Sequence, residues 1–340
     1  MSAAPVRLAL VGLGSMGLHH LKIFQSLAPW AQIVAVADSH PPLAERAAAV
    51  APSARVFHDP LGCLRNIDID AAVVATADDT HHAIVDACIA QGIYVLCEKP
   101  LTRSAEESLH LVKAERASGR RLVQVGYMRR YDADYRHIHD TAWSGEVGRP
   151  ILIGQRHHNP FAINTFDAQQ LIASSAAHDI DLFRWLTGEE ISVVNCAAKD
   201  SDDGSAVTVL VTLKSESGIL GVIELGRGPG MRYDIGLDLV GSAGSIALGS
   251  PSLTTHAVAD GVAAQRLPDS WIERFDSAYR AQNADWLTAV ANQTIDGPST
   301  YDGYACNAVA DAALAALSTG GTETVHQIRA GDLGQEGASC

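Results

Sequence analysis

The sequence predicts an α/β protein in two domains, the first built on a doubly wound parallel sheet and the second around a sheet with one open face. Strand-like and helix-like segments alternate through residues 6–125, and strands dominate after Gly126. A length of 340 residues also favours two domains over one. We therefore expect a first domain over 1–126, a second over 127–325, and a frayed polar tail over 326–340.

The first domain repeats a strand–helix unit. Its first strand, Val6–Val11, is almost wholly apolar, as a strand buried inside a parallel sheet is. Further strands are expected at Gln32–Ala37, Arg55–Phe57, Ala71–Thr76, Ile93–Cys97 and Arg121–Val125. Helices are expected at Ser15–Leu27 and Ser104–Ser118, and a further helix is expected to end at about Ala90.

A glycine loop, Gly12-Leu13-Gly14-Ser15-Met16-Gly17, directly follows the first strand and opens the first helix. This is the context that a dinucleotide fingerprint requires. Gly12 permits the tight turn, Gly14 lets the backbone approach a pyrophosphate, and Gly17 lets the helix pack on the strand. The N-terminus of the helix then faces the phosphates.

Asp38 ends the second strand, about 20 residues past this loop, where an acidic side chain binds both hydroxyls of the adenosine ribose. A carboxylate at this position repels a 2′-phosphate, so the pattern predicts NAD rather than NADP. The alternative is a turn residue before Pro41-Pro42.

Other polar residues follow the strands of the same sheet. Thr76 and the pair Glu98-Lys99 stand at predicted carboxyl ends, where doubly wound sheets bind ligands. The alternative for Lys99 is a surface charge before a proline turn.

The second domain begins with a predicted helix from Tyr127 to Trp143. Strands are expected at Ile151–His158, Ile191–Ala198, Ala206–Leu213, Ile219–Leu225 and Tyr233–Val240. Several of these strands alternate apolar with polar residues, as strands of a sheet with one open face do. Helices are expected at Trp271–Val290 and Asp302–Leu317.

Between the first two of these strands, the segment from Ser174 to Leu186 has helical spacing. Ser174, His178, Asp181 and Trp185 follow one another at intervals of four, three and four, which places them on one helix face. A histidine held between polar neighbours suits a general base, because it titrates near neutral pH. Taken alone, the segment favours a core helix with an inert, hydrogen-bonded histidine; the rest of the chain favours the catalytic interpretation instead.

Composition excludes several classes of function. The net charge is −14, and no basic patch points to nucleic acid. No apolar run approaches the roughly 20 residues that span a bilayer, and no signal-peptide pattern opens the chain, so we expect a cytoplasmic protein without a membrane partner. The six cysteines are scattered, and adjacent histidine side chains diverge, so we assign no metal.

Several stretches together carry a family resemblance. They are Gly12–Gly17 with Asp38, Glu98-Lys99-Pro100, Gly126–Asp132, His157–Pro160, His178–Leu186, Tyr233-Asp234-Ile235 and Tyr301-Asp302-Gly303-Tyr304. These stretches follow one another in the order found in one family. Through them the chain resembles the glucose–fructose oxidoreductase / inositol dehydrogenase superfamily, and within it the bacterial inositol 2-dehydrogenases. The resemblance implies an N-terminal Rossmann domain and a C-terminal α/β domain with an open, mostly antiparallel sheet. It also implies a homo-oligomer, dimer or tetramer, that buries the open face.

The same resemblance implies NAD-dependent oxidation of a ring secondary alcohol in a small polyol or sugar. Lys99 takes the position of the catalytic lysine and His178 that of the catalytic histidine, and the Lys99–Pro100 bond is cis in many relatives. The substrate-binding set is then Arg129, His157, Ser174 and Tyr233, and the cofactor-binding set is Gly12, Gly14, Ser15, Met16, Gly17, Asp38, Thr76, His81, Glu98 and Lys99.

One departure from the family pattern stands at Ser174, where inositol dehydrogenases usually carry an aspartate. A hydroxyl can orient the imidazole of His178 but cannot supply charge. Either Asp181 compensates, or the substrate is shifted to a modified inositol, a pyranose or an anhydrosugar. A rival of another class is a non-catalytic, dinucleotide-binding regulator such as the galactose-regulon repressor of the same superfamily; retention of Lys99 and His178 argues against it.

Overall fold

The computed structural model describes residues 4–160, 167–248, 255–258, 261–264 and 270–334. Within them the chain forms two compact units. The first comprises residues 4–128, 279–307 and 328–334, and the second 129–278 and 308–327. The division differs from two continuous domains, because residues 279–307 return to the first unit. Helical spacing shows that a helix has an apolar face but not which sheet that face covers.

The first unit contains a six-stranded parallel sheet in the order β3-β2-β1-β4-β5-β6. Its elements are β1 (Val6–Val11), α1 (Ser15–Ser26), β2 (Ala31–Ala37), α2 (Pro41–Val50), β3 (Arg55–Phe57), α3 (Pro60–Asn66), β4 (Ala71–Val74), α4 (His81–Gln91), β5 (Tyr94–Cys97), α5 (Ala105–Ala117) and β6 (Val123–Val125). This is the predicted doubly wound arrangement, with the sheet order reversing between β1 and β4.

Apolar sequence explains the central strands. Leu8 to Val11 are fully buried, as are nearly all residues of β4 and β5, because helices cover both faces of the sheet. The Pro41-Pro42 pair opens α2. Proline suits the first helical turn, where its missing N–H would have no partner anyway.

The second unit contains a seven-stranded sheet in the order β12-β11-β7-β10-β9-β8-β15. Only β7 and β10 pair in parallel, so the sheet is mostly antiparallel as predicted. Its strands are β7 (Pro150–Asn159), β8 (Ile191–Asp200), β9 (Val207–Ser215), β10 (Leu220–Arg227), β11 (Asp234–Gly241), β12 (Ser245–Leu248) and β15 (Thr322–Thr324), and β13 (Thr255–Val258) pairs with β14 (Gly261–Ala264) separately.

One face of this sheet packs on helices and the other is open. Residues along β9 alternate strictly between buried and exposed, which is the pattern of a half-buried strand. The helices are α6 (Ala133–Ser144), the single turn α7 (Ala168–Gln170) and α8 (Ala177–Thr187); α9 (Trp271–Ala291) and α10 (Thr300–Thr319) contribute residues to both units.

One helix start and the polar tail differ from the prediction. The helix expected from Tyr127 begins at Ala133, because the Asp132 side chain caps it by accepting hydrogen bonds from the N–H groups of Asp134 and Tyr135. The polar tail is held over its described part: the Ile328 N–H donates to the Tyr304 hydroxyl at 2.8 Å. Residues 335–340 of the predicted frayed tail lie outside the described residues.

None of the described helices is long and apolar enough to cross a bilayer.

Candidate active site

The glycine loop of the first unit has the geometry that its sequence predicts. Gly12 has φ +86°, and a Cβ there would meet the carbonyl oxygen of Ala75 at 2.4 Å. A Cβ on Gly17 would lie 1.8 Å from the carbonyl oxygen of Gly12, so this glycine lets α1 approach the turn. Nothing lies within 4 Å of the position that a Cβ on Gly14 would take. The loop therefore leaves open space beside Gly14, where the fingerprint places the pyrophosphate.

Asp38 lies next to this loop and is fixed by backbone donors. Its Oδ2 accepts a hydrogen bond from the N–H of Leu13 at 2.7 Å, and its Oδ1 accepts one from the N–H of His40 at 2.8 Å. Each oxygen keeps a second lone pair with which it can accept a further hydrogen bond. The carboxylate is thus held in place while it remains able to bind two hydroxyls.

A cavity of about 650 Å³ opens beside these groups within the first unit. Its lining is mostly apolar, with carboxylates and hydroxyls at a few positions, as in many small-molecule sites. Among the residues that line it are Gly12, Leu13, Gly14, Asp38, Thr76 and Thr80. Ser15 and Met16, also predicted for the cofactor, start α1 and do not belong to the lining of this cavity. The size and chemistry of the cavity fit the adenosine half of a dinucleotide.

Glu98 points into the protein rather than into this cavity. Its Oε1 lies 2.8 Å from Nε2 of His20, and the other ring nitrogen of His20 lies 2.8 Å from the side-chain amide of Asn283. Its Oε2 accepts a 3.3 Å hydrogen bond from the N–H of Lys99. Glu98 therefore anchors the turn that carries Lys99. The Lys99–Pro100 bond is cis, as the resemblance implied.

His81, another predicted cofactor residue, is 1% exposed. Its Nδ1 lies 2.9 Å from the carbonyl oxygen of Pro100, and its Nε2 lies 3.3 Å from the carbonyl oxygen of Thr76. The ring thus links the end of β4 to the turn after Lys99. Its observed contacts serve to position that turn.

In the second unit, the segment around His178 is not one regular helix. A π-helical turn covers Leu171–Ser175, with the N–H of Ala176 bonded to the carbonyl of Leu171, and α8 follows from Ala177. Ser174 lies inside the wide turn, so the regular helix on which its stacking below His178 was predicted does not extend through this residue. His178 is the second residue of α8 and is 6% exposed.

The carboxylate next in sequence, Asp179, forms the polar centre of this unit. Its Oδ1 accepts a 2.6 Å hydrogen bond from Nη1 of Arg129, and its Oδ2 lies 2.7 Å from Nδ1 of His157. The carbonyl of Asp179 accepts a bond from the side chain of Gln155, two residues before His157 on β7. The start of α8 is thereby fastened to β7 at two points.

The cluster of Arg129, His157 and Asp179 is charged and almost fully buried. Burial alone would raise the pKa of the Asp179 carboxyl, but Arg129 and His157 more than offset it, so the pKa is lowered from its ordinary value of 3.8. Arg129 is 2% exposed, and although burial opposes its charge, Asp179 raises its pKa. Arg129, predicted to contact substrate, forms a buried ion pair with Asp179.

Aromatic rings surround this ion pair. The guanidinium carbon of Arg129 lies 5.9 Å from the ring centre of Tyr135 and 5.7 Å from that of Phe275. Burial raises the pKa of the Tyr135 hydroxyl to about 12. Tyr233 is buried as well, and burial raises the pKa of its hydroxyl. Both phenols therefore stay protonated and can donate hydrogen bonds at neutral pH.

Asp181, the suggested substitute for the missing aspartate, has another partner. Its two oxygens accept hydrogen bonds from Nε and Nη2 of Arg130, at 2.9 Å and 2.5 Å. Arg130 also lies over the ring of Trp185, which stacks on His139 at 4.1 Å between ring centres. Arg130 therefore neutralises the charge of this carboxylate.

Sequence reasoning missed three residues that position the site: Asp179, His20 and Asn283. Asp179 could have been suspected, since a carboxylate beside a predicted catalytic histidine is a natural partner for Arg129. No spacing rule connects Asn283 with His20, because 263 residues separate them.

Neighbouring histidines point to opposite sides of β7. His157 meets Asp179, whereas His158 lies 2.9 Å from Glu224 on the open face. In the part of the chain that the structure describes, no group of three or more histidine, cysteine or acidic side chains could hold a metal ion.

Comparison with known proteins gives a consistent picture. Residues 6–127 match a family model described as "Oxidoreductase family, NAD-binding Rossmann fold", and residues 135–247 match the GFO/IDH/MocA C-terminal domain. Inositol 2-dehydrogenase 4 of Saccharopolyspora erythraea is 38% identical, with 96% of this chain and 98% of that protein covered. Inositol 2-dehydrogenase 2 of the same organism is 36% identical over 94% of this chain and 95% of that protein.

Among solved structures, myo-inositol dehydrogenase from Lactobacillus casei in complex with NAD(H) and myo-inositol is similar, with a TM-score of 0.88 and 26% identity. The likeness covers 97% of this chain and 100% of that one.

Proposed function

Because the chain belongs to the GFO/IDH/MocA family of NAD-binding oxidoreductases, we propose that it oxidises a ring secondary alcohol of a cyclitol to a ketone. The observation that carries the proposal is likeness over nearly the whole length to inositol 2-dehydrogenases. Lys99 and His178, which the sequence resemblance assigns to the catalytic lysine and histidine, support it. Membership of the family alone would not give the substrate, because one fold hosts many activities.

The first unit offers the groups that would hold NAD. The open space beside Gly14 would receive the pyrophosphate, and the Asp38 carboxylate would accept hydrogen bonds from the adenosine ribose hydroxyls. The cofactor supplies the hydride acceptor, which no side chain can provide. Asp38 disfavours the 2′-phosphate of NADP by charge repulsion.

Two side chains are assigned to the alcohol. The imidazole of His178 removes the hydroxyl proton as general base, and the ammonium of Lys99 hydrogen-bonds the oxygen and stabilises its developing negative charge. The Glu98 anchor beside Lys99 and the Asp179 anchor beside His178 fix the backbone from which each side chain extends. Donors and bases that are already held in place stabilise the transition state more than mobile ones, because they do not have to reorganise during the reaction.

The residue at 174 favours a second candidate substrate. A serine in the π-helical turn replaces the usual aspartate, and Asp181 is paired with Arg130 instead. The support for the imidazole therefore differs from that in the inositol enzymes. An NAD-dependent pyranose or anhydrosugar dehydrogenase is the alternative that this difference favours.

The experiment is a measurement of NADH formation by the purified protein with a panel of inositol isomers, pyranoses and anhydrosugars. NADP is tested in parallel. Turnover on inositols with NAD supports the proposal, and turnover on pyranoses alone moves the assignment to the alternative. NAD binding without turnover on any polyol would contradict both and favour a dinucleotide-binding regulator.

The open sheet face supports self-association as a further part of the proposal. Leu210, Leu220 and Val240 are each at least 40% exposed on this face. Exposed apolar side chains on one face stabilise an assembly when a second surface covers them. We expect a dimer or tetramer that works in the cytoplasm, where NAD is available, and light scattering of the purified protein would measure its mass.

A further inference from the structure

We propose that a second cavity of the first unit binds a small organic phosphate ester. The cavity has a volume of about 380 Å³ and is lined by Arg116, Arg120 and Arg121, so we call it the arginine cavity. Its other walls include the residues that open α10 and the last described stretch of the chain. Among the described residues, none lines both this cavity and the one beside the glycine loop. The site is thus separate from the one assigned to NAD.

The charge of the arginine cavity is opposite to that of the whole chain. Arg116 lies in the last turn of α5, and Arg120 and Arg121 follow just after this helix. Of the described lining residues, these three arginines and one acidic residue, Glu115, are charged, which gives a formal charge of +2. The net charge of the chain is −14. A concave surface of one charge sign concentrates the opposite charge near it, so this cavity attracts anions.

The one carboxylate of the lining is enclosed by the protein. Oε1 of Glu115 accepts 2.7 Å hydrogen bonds from the N–H groups of Leu122 and Val123, and Oε2 accepts one from the hydroxyl of Thr300 at 2.5 Å. The residue is 6% exposed, whereas all three arginines are exposed. A ligand that enters the cavity therefore meets the guanidinium groups before the carboxylate.

Two of the arginines are held by backbone carbonyl groups. Nη2 of Arg116 donates a 2.9 Å hydrogen bond to the carbonyl of Ala330, which also lines the cavity. Nη2 of Arg121 donates to the carbonyl of Gly297. Each bond uses one of the five N–H donors of a guanidinium and orients the group without neutralising it. The remaining donors can bind a ligand.

The third guanidinium, that of Arg120, is oriented by Tyr94. Its Nη2 donates a 2.9 Å hydrogen bond to the Tyr94 hydroxyl, and its carbon lies 5.1 Å from the centre of the ring. Within the described parts of the chain, none of the three arginines forms an ion pair. The buried arginines Arg129 and Arg130 of the second unit, by contrast, pair with aspartates. The arginine cavity therefore offers positive charge to an anion from outside the chain.

A phosphate group fits these donors. Guanidinium groups bind phosphate oxygens through two parallel N–H bonds, a geometry that a lysine ammonium cannot provide. A phosphate monoester carries a charge of about −1.5 to −2 at neutral pH, which is close to the formal charge of the lining with its sign reversed. A single carboxylate would supply at most half of that charge.

The rest of the cavity fits an organic group. Val112, Ala330 and Leu333 contribute apolar side chains to the lining, and Tyr301 contributes an aromatic one. Cavities that hold small organic ligands range from roughly 300 to 1,000 Å³, and the arginine cavity lies within this range. Inorganic phosphate would fill only part of it. The ligand class is therefore an ester whose organic part lies on the apolar wall.

The test is isothermal titration calorimetry of the full chain with phenyl phosphate, inorganic phosphate and phenol, with and without excess NAD. NAD fills the dinucleotide site, so the binding that remains in its presence reports the arginine cavity. We expect phenyl phosphate to bind at one such site, more tightly than inorganic phosphate, and phenol not to bind. The Kd for phenyl phosphate should rise by about tenfold or more in each of Arg116→Gln, Arg120→Gln and Arg121→Gln.

A matched control is Arg103→Gln. Arg103 is exposed, directly precedes the Ser104 cap of α5 and lines neither cavity. Its substitution changes the net charge by the same amount and should leave the Kd unchanged. All four arginines are exposed, so each variant should fold, and circular dichroism checks this.

Three results would overturn the proposal. They are no binding of phenyl phosphate in the presence of NAD, an unchanged Kd in all three cavity variants, and an equal rise of the Kd in Arg103→Gln. Inorganic phosphate that binds as tightly as phenyl phosphate would overturn the assignment to an ester. Turnover is not measured in this experiment, so failure of the proposed dehydrogenase reaction would be seen separately, in the assay of NADH formation.

Discussion

The two units neutralise their buried carboxylates with different partners. In the first unit, Glu98 contacts a histidine ring and a backbone N–H, and Glu115 accepts hydrogen bonds from two backbone N–H groups and a hydroxyl. In the second unit, the three buried aspartates each pair with an arginine: Asp132 with Arg274, Asp179 with Arg129 and Asp181 with Arg130. These are the buried carboxylates of the described residues.

The difference determines what happens when one member is removed. A carboxylate held by backbone N–H groups can become an amide and still accept most of its hydrogen bonds. A carboxylate held by a buried arginine cannot, because the cation remains without a counter-charge. The second unit therefore makes the position of α8 depend on charge, whereas the two buried glutamates of the first unit are held by hydrogen bonds.

The largest expected effect is that of Asp179→Asn on stability. Leaving Arg129 buried without its partner should lower the free energy of unfolding by about 3–5 kcal/mol. Urea unfolding followed by circular dichroism measures the change. Asp140→Asn, at an aspartate whose side chain is 80% exposed, is the control and should change stability by less than about 0.5 kcal/mol. A loss below about 1 kcal/mol for Asp179→Asn would show that the arginine pair is not what holds this region.

The same pair should make the second unit sensitive to acid. Because the folded pKa of Asp179 lies below its ordinary value of 3.8, its contribution to stability is complete at neutral pH and is lost as pH falls through the folded pKa. In Asp179→Asn this contribution is absent. The difference in unfolding free energy between wild type and variant should thus be constant above about pH 5 and shrink below it. A difference that grew towards low pH would contradict the assignment.

A smaller loss is expected for Glu115→Gln in the first unit. The side-chain oxygen Oε1 of Glu115 accepts 2.7 Å bonds from the N–H groups of Leu122 and Val123, and Oε2 accepts one from Thr300. An amide keeps the carbonyl acceptor and loses one contact, so the loss should be about 1–3 kcal/mol. If Glu115→Gln destabilised as much as Asp179→Asn under the same conditions, the contrast between the units would fail.

The smallest effect concerns cofactor choice. Asp38→Asn keeps an acceptor for the N–H of Leu13 but removes the charge that repels a 2′-phosphate. The preference for NAD over NADP, measured as a ratio of kcat/KM, should fall by about tenfold, or about 1.4 kcal/mol. An unchanged preference would mean that another group selects the cofactor.

All six strands of the first unit and the helices α1, α4 and α5 could be predicted from sequence, whereas α2 and α3 were not predicted. The central strands β1, β4 and β5 are buried on both faces, so each appears as a nearly continuous apolar run, and the glycine loop fixes where the first strand ends. Strand β1 has the predicted bounds, Val6–Val11, and so does β3, Arg55–Phe57. The return of residues 279–307 to this unit could not be predicted, because helical periodicity does not identify the partner of a helix.

The candidate site of the second unit was less predictable. Motifs identified His178, but the π-helical turn at Leu171–Ser175 breaks the regular spacing on which the placement of Ser174 depended. Periodicity counts residues and cannot detect one that is added to a helical turn. The contact between Arg129 and Asp179 joins residues 50 positions apart, and only the fold brings them together.

The assignment of Lys99 and His178 is tested most directly by NADH formation in Lys99→Ala and His178→Ala, with the polyol that the wild type oxidises best. NAD affinity is measured alongside by fluorescence. We expect kcat to fall by about 10²- to 10⁴-fold in each variant, with NAD still bound by His178→Ala. Turnover at the wild-type rate in either variant would contradict the assignment of these two residues to the reaction.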